Sequence, residues 1–269
     1  MKKYILSINR NSNLFKATTL CILLNVIYDG YSQQYNSDSW LSKPHGMVTI
    51  IPTFGQRSSM IMNTFSLFPG WEFTVAGYMY NKDNNPLTDD GFSASYYGKY
   101  MFYQNKAETG GASVKAGTGL FPGTIDGKNR TKDAFRTFWV NFPCTLPFFN
   151  NELSWDLMPG ASVTRKYGPE KTNAWAFTYS TRMAWYPVTP QWSIVGEVFG
   201  AEGQRIAKPE YKIGWRFEPT QFAVFAITYG NKFNGTKGAG FEIGVMLFTP
   251  QFACFGPCKV KSATATQTN

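Results

Sequence analysis

Eight charged residues, Glu72, Lys99, Lys115, Asp156, Arg182, Lys212, Arg216 and Glu242, each lie on the polar side of a segment whose alternate residues are apolar. Glu197 occupies a similar place on a segment that alternates less clearly. Opposite charges in such rows do one of two things. They pair and brace a wall, or they leave a field that orients a polar solute. Catalysis would ask for more, namely a nucleophile, a base and an orienting group together. The one histidine, His45, stands in Lys43-Pro44-His45-Gly46 with no serine in the next two positions. No HExxH, nucleophile elbow or Gly-rich phosphate cradle occurs. Cys254 and Cys258 flank the turn-forming Phe255-Gly256-Pro257, a spacing that lets them form a disulfide; with a single histidine they make a poor metal site. The sequence therefore predicts no catalytic centre, no metal and no cofactor, and it makes the nine charged positions the candidate site.

The elements that hold these charges repeat from about residue 46 to residue 250. Segments of roughly ten residues, rich in aromatics and alternating in polarity, are separated by turns that are alternately short and long. Short turns are proline-centred: Phe68-Pro69-Gly70, Pro187-Val188-Thr189-Pro190 and Glu218-Pro219-Thr220. Long ones are polar, as in Asn81 to Gly91, Leu120 to Asp133 and Tyr229 to Gly238. Twelve strands emerge, with ten to fourteen compatible with the pattern. They begin near Gly46, Ser59, Trp71, Phe92, Gly111, Ala134, Asn151, Asn173, Gln191, Pro209, Gln221 and Gly240. In the clearest, Tyr211, Ile213, Trp215 and Phe217 oppose Lys212, Gly214 and Arg216. The turn after the sixth strand is placed at Pro143 to Asn150.

Composition agrees with β-structure. Aromatics are 17% of the 269 residues, charged residues 16%, and glycines number 25. No apolar run after the N-terminus reaches the length of a spanning helix, and the mean hydropathy is −0.26. A barrel escapes that test, because only every second residue meets lipid. The N-terminus reads as a secretory signal over residues 1–32. Lys2, Lys3, Arg10 and Lys16 precede the apolar stretch Ala17 to Ile27, and Gly30-Tyr31-Ser32 sets up cleavage before Gln33. Its removal takes four positive charges and Asp29, so the formal +9 becomes +6. The remaining basic residues are scattered over loops, which argues against a nucleic-acid partner.

An alternating strand with a charged face suits a secreted sandwich or, with the faces exchanged, a membrane barrel. Three features choose the barrel: the secretion signal, the alternation of loop length, and aromatics near strand ends (Trp71, Trp185, Tyr186, Trp192) as interfacial girdles. With both termini periplasmic, the proline turns fall on the periplasmic side and the long loops outside. Tyr78, Tyr80, Tyr97, Met101 and Tyr103 then face inward and narrow one wall. Twelve strands lie between the side-chain-filled interior of eight and the open channel of sixteen.

At this point Phe65 to Tyr80, Tyr211 to Phe217 and the closing segment Gly238 to Pro250 carry a resemblance to the Gram-negative outer-membrane β-barrel proteins of the small porin and transporter type. Glu242-Ile243-Gly244 followed by Leu247 partly matches the ending that the barrel-assembly machinery reads in this group, although such barrels usually stop there. More distantly, the chain looks like the outer-membrane transporters linked to degradation of phenolic compounds. The resemblance implies an up-and-down transmembrane barrel over 46–250, a periplasmic segment over 33–45 and a periplasmic tail over 251–269. Its partners would be outer-membrane lipid, the assembly machinery and small solutes. The implied function is a narrow channel or transporter; the alternative is a non-conducting barrel serving an envelope complex.

Overall fold

Polarity that alternates along the chain becomes, in three dimensions, exposure that alternates around a wall. The computed structural model describes residues 37–80, 91–119, 135–235 and 238–252. Its strands are β1 (Met47–Gly55), β2 (Ser58–Phe68), β3 (Trp71–Tyr80), β4 (Gly91–Gln104), β5 (Gly111–Gly119), β6 (Thr137–Asn141), β7 (Cys144–Phe148), β8 (Leu153–Leu157), β9 (Gly160–Tyr167), β10 (Thr172–Trp185), β11 (Trp192–Gly203), β12 (Ala207–Thr220), β13 (Ala223–Lys232) and β14 (Gly240–Phe248). All pairings are antiparallel, and β14 returns to β1 with Ile50 opposite Leu247, so the sheet closes on itself. A closed sheet has no edge and satisfies every ladder group internally, which hydrocarbon demands.

These fourteen segments make twelve staves. β6 and β7 both run along β5, while β8 and β9 both run along β10. The interruptions fall at Phe142-Pro143 and Met158-Pro159. Proline has no N–H to give to the ladder, yet both prolyl carbonyls still accept, Pro143 from the Ser113 N–H and Pro159 from the Phe142 N–H, each at 2.9 Å. Twelve staves is the number predicted, and every one starts within three residues of its expected position.

The polarity is inverted relative to a water-soluble protein. On β10, Trp175, Phe177, Met183 and Trp185 are exposed while Thr178, Ser180 and Arg182 are buried. On β12, Ile213 and Trp215 are exposed and Lys212 and Arg216 buried. An exposed apolar belt around a charged interior is stable only with lipid outside. At the end of the barrel that holds both chain termini of the sheet, Trp71 stacks on Tyr100 at 4.7 Å and Trp192 on Phe217 at 4.2 Å, forming part of an aromatic rim. The tight turn there uses Gly70 at φ +76°, a conformation other residues rarely adopt.

Several expectations need correction. The sixth stave does not turn at Pro143 but continues as β7, and the chain reverses at Phe149 to Asn151, all with positive φ. Tyr103 faces outward, because a bulge between Met101 and Tyr103 shifts the register of β4 on β5. Tyr186 is not part of the girdle. Its neighbour Trp185 points to lipid, so period two turns Tyr186 inward, where its hydroxyl donates to Glu218 at 3.2 Å. The candidate pair Cys254 and Cys258, the signal 1–32 and most of the tail lie outside the described residues.

Candidate functional site: the lumen

All nine charged candidates sit on the buried, inward face. Burial of a charge in so narrow a space demands a partner, and the partners are close at hand. Glu72 and Lys99 are opposite one another on β3 and β4 and meet at 2.7 Å. Arg182 on β10 grips Asp156 on the neighbouring β8, with Nε to Oδ2 at 2.8 Å, and the Thr145 hydroxyl donates to the other carboxylate oxygen. Lys212 reaches Glu242 at 2.8 Å across the intervening β13, and the Thr228 hydroxyl on that strand faces the same carboxylate at 3.4 Å. Arg216 pairs at 2.8 Å with Glu218, two residues along its own strand. Three of these pairs run sideways along the wall and Arg216–Glu218 runs lengthwise on one strand. Bracing, rather than a field across the pore, is what most of the predicted charges do.

The rest of the lumen is divided. From β13 round to β3 the inward residues are mostly neutral, and Val224, Met246, Phe248, Ile51, Met62 and Ala76 pack into one apolar cluster. From β4 round to β12 the wall carries, among the described residues, all the buried cations and most of the buried carboxylates. The cluster reaches across to Tyr97, Trp139 and Met158 on the charged side, where Tyr97 donates its hydroxyl to Met62 Sδ at 3.2 Å.

Sequence reasoning missed one lumenal feature altogether. Residues 37–43, inside the stretch predicted to be a periplasmic segment, lie within the barrel. From the rim beside β1 the segment runs back up the lumen. Lys43 N–H donates to Glu72 at 2.7 Å, and the Ser42 hydroxyl donates to the Gly70 carbonyl at 3.1 Å. Trp40 is completely buried against β5; a Cβ on Gly111 would come within 2.6 Å of its ring, so glycine there makes room for the indole. Asp38 lies between Lys99 at 3.5 Å and Lys115 at 3.3 Å, and Lys99 also donates to the Leu41 carbonyl at 2.7 Å. Ser37 ends the described part midway up, its N–H donating to Glu197 and its hydroxyl against that of Ser180. Lys43, outside the strands, has its ammonium pushed down to about 8 by burial, against the opposing pull of Glu72 and Glu218. The only signal of this arrangement in the sequence is a lone carboxylate and a lone indole, Asp38-Ser39-Trp40, in an otherwise polar stretch.

No protein-family model matches the chain, and a sequence comparison with curated proteins finds none that matches. Solved structures do match. A KdgM porin aligns with a TM-score of 0.52 at 7% identity, covering 75% of this chain and 98% of its own. A KdgM porin in complex with disordered oligogalacturonate aligns with a TM-score of 0.50 at 8% identity over the same shares. An outer-membrane channel from Pseudomonas putida F1 aligns with a TM-score of 0.49 at 10% identity, covering 82% of this chain and 99% of its own. At these identities the likeness is one of fold. The chain carries the closed twelve-stranded fold of the outer-membrane porins, with an exterior made for lipid and a charged lumen that its own N-terminal segment enters.

Proposed function

We propose that this protein is an outer-membrane channel for small solutes, exported by residues 1–32, with the inward charges Glu72, Lys99, Lys115, Asp156, Arg182, Glu197, Lys212, Arg216 and Glu242 bordering the solute path. The observation that carries this reading is the nature of the lumenal filling. The wall charges are mostly neutralised by other wall residues, and residues 37–43, which belong to no strand, lie between the walls. Such a segment can leave without breaking a strand. A porin of the same fold has been seen in complex with oligogalacturonate, in keeping with small-solute passage through this architecture.

The competing reading is a sealed barrel that serves as a subunit of an envelope complex; the complete burial of Trp40 favours it. Planar-bilayer conductance of the refolded mature chain, alongside a variant lacking residues 33–43, separates the two. The channel reading expects discrete conductance that becomes larger or more continuous without the segment. Silence from both chains, in preparations that have demonstrably inserted, favours the sealed barrel.

A further inference from the structure

We infer that Lys115, with Lys99 and the rings of Tyr97 and Trp139, forms a lumenal binding site for a small carboxylate with an apolar, ring-sized body, and that the protein's own Asp38 and Trp40 occupy this site at rest. The inference rests on the channel reading and names its substrate class.

The two lysines differ in what neutralises them. Lys99 has Glu72 at 2.7 Å on the facing strand and stays paired if the segment leaves. Among the described residues, Lys115 has one ion pair, to Asp38 at 3.3 Å. Its ammonium also lies over the Tyr97 ring at 4.3 Å and near the Trp139 ring at 5.9 Å, contacts that hold a cation without cancelling its charge. Withdrawal of Asp38 therefore leaves an ammonium without a carboxylate partner beside a second lysine, open to whatever fills the vacated space. An incoming carboxylate relieves that state as Asp38 does.

The resident segment also indicates what the carboxylate is attached to. Two residues after Asp38, the Trp40 indole fills a wholly buried space on β5, and its Nε1 has no hydrogen-bond partner among the described residues, so shape rather than polarity holds it. The Ser113 hydroxyl, on the same face of β5 as Lys115, is likewise buried and without a partner among the described residues. Tyr97 and Trp139 join the apolar cluster of the opposite wall. A carboxylate carrying a flat apolar body would thus meet cation, rings and methionines in one place. A tethered ligand competes as if present at high local concentration. A free ligand sees its affinity divided by the fraction of molecules whose site is vacant.

Benzoate and its neutral isostere benzamide test this in the refolded mature chain, with binding read by titration calorimetry and conductance measured in parallel. Asp38→Asn should tighten benzoate binding about tenfold or more, leave benzamide unbound, and lose the gain when Lys115→Gln is added. Ser37→Cys with Ser180→Cys, whose parent hydroxyls touch, should lock the segment when Cys144, Cys254 and Cys258 are serine. Oxidation should abolish benzoate binding and reduction restore it. Equal benzoate affinity in wild type, Asp38→Asn and the oxidised lock would overturn the inference, while conductance in those proteins would leave the channel reading standing. Benzoate binding with the expected pattern but no conductance in any variant would keep the site and remove the channel.

Discussion

Lys212 and Lys115 are both buried lumenal lysines, 8% and 2% exposed at the side chain, yet different parts of the molecule neutralise them. Lys212 is answered by Glu242 on β14, two strands away in the wall. Lys115 is answered by Asp38, on a segment that belongs to no strand. On the β12–β14 side the barrel balances its own charge, as it does at Arg182–Asp156 and Arg216–Glu218. On the β4–β5 side part of that balance comes from Asp38, outside the strands. The contrast predicts that the first kind of pair is a condition of folding and the second a condition of which state the folded barrel occupies.

The sharpest way to break this distinction is to cut one pair of each kind. Asp156→Leu strands Arg182 in the wall and should destabilise the barrel by about 3–5 kcal/mol, whereas Asp156→Leu with Arg182→Met should recover most of the loss. Asp38→Leu removes the partner of a lysine just as buried. It should move the unfolding midpoint by less than about 1 kcal/mol, because the segment undocks and water reaches Lys115. Urea unfolding in detergent, followed by the heat-modifiable gel shift, measures all three. Equal losses from Asp156→Leu and Asp38→Leu would make the segment an integral part of the fold and erase the difference between the two sides.

The same contrast explains what could be read from the chain beforehand. Wall residues repeat with period two, so twelve staves were legible from alternation and turn lengths, and the inward placement of the charges followed once the other features had chosen a barrel over a sandwich. The weakly alternating β11 and β13 still alternate in exposure; Val195, Val224 and Ala226 are inward but apolar, which hid the pattern. Bulges are harder, since one extra residue at Met101–Tyr103 reverses everything after it. Residues 37–43 have no periodicity, and they bind largely through backbone groups and one carboxylate. Nothing local distinguishes such a stretch from a solvated linker. Its place inside the barrel depends on a cavity that exists only once the distant strands have closed.

A second prediction sharpens the β4–β5 side. Lys43 titrates near 8 when docked, below its ordinary 10.5, because burial disfavours its charge. A lowered pKa means that docking is penalised while the lysine is protonated, and that the penalty fades as pH rises from about 8 toward 10.5. Docking should therefore tighten between pH 7 and pH 9 by a few-fold, short of the full linkage value since the half-buried side chain keeps some water. A nitroxide on Ser37→Cys, in a chain freed of other cysteines, would show a growing immobilised fraction. A larger mobile fraction at pH 9 would mean that some group other than Lys43 controls docking.

The smallest expected effect concerns conduction, and it asks which side of the lumen ions follow. Among the described residues the buried charges comprise five cations and seven carboxylates, Asp38 included, and these make no net positive ladder. Lys212 and Arg216 share one face of β12, about 13 Å apart at four residues, but each already touches a carboxylate at 2.8 Å. Replacing both by glutamate places like charges beside Glu242 and Glu218 and turns two neutral pairs into two anionic ones. In a lumen wet enough to conduct, water and counterions screen much of that change. The permeability ratio should then shift toward cations by about threefold, less than about 1 kcal/mol. Reversal potentials of Lys212→Glu with Arg216→Glu in a potassium chloride gradient read this directly, provided the variant inserts normally. A clear shift puts the permeation path along the β12 wall, where the barrel balances its own charge. No shift, combined with altered selectivity in Lys115→Gln, would route ions along β4 and β5, through the space from which the segment withdraws.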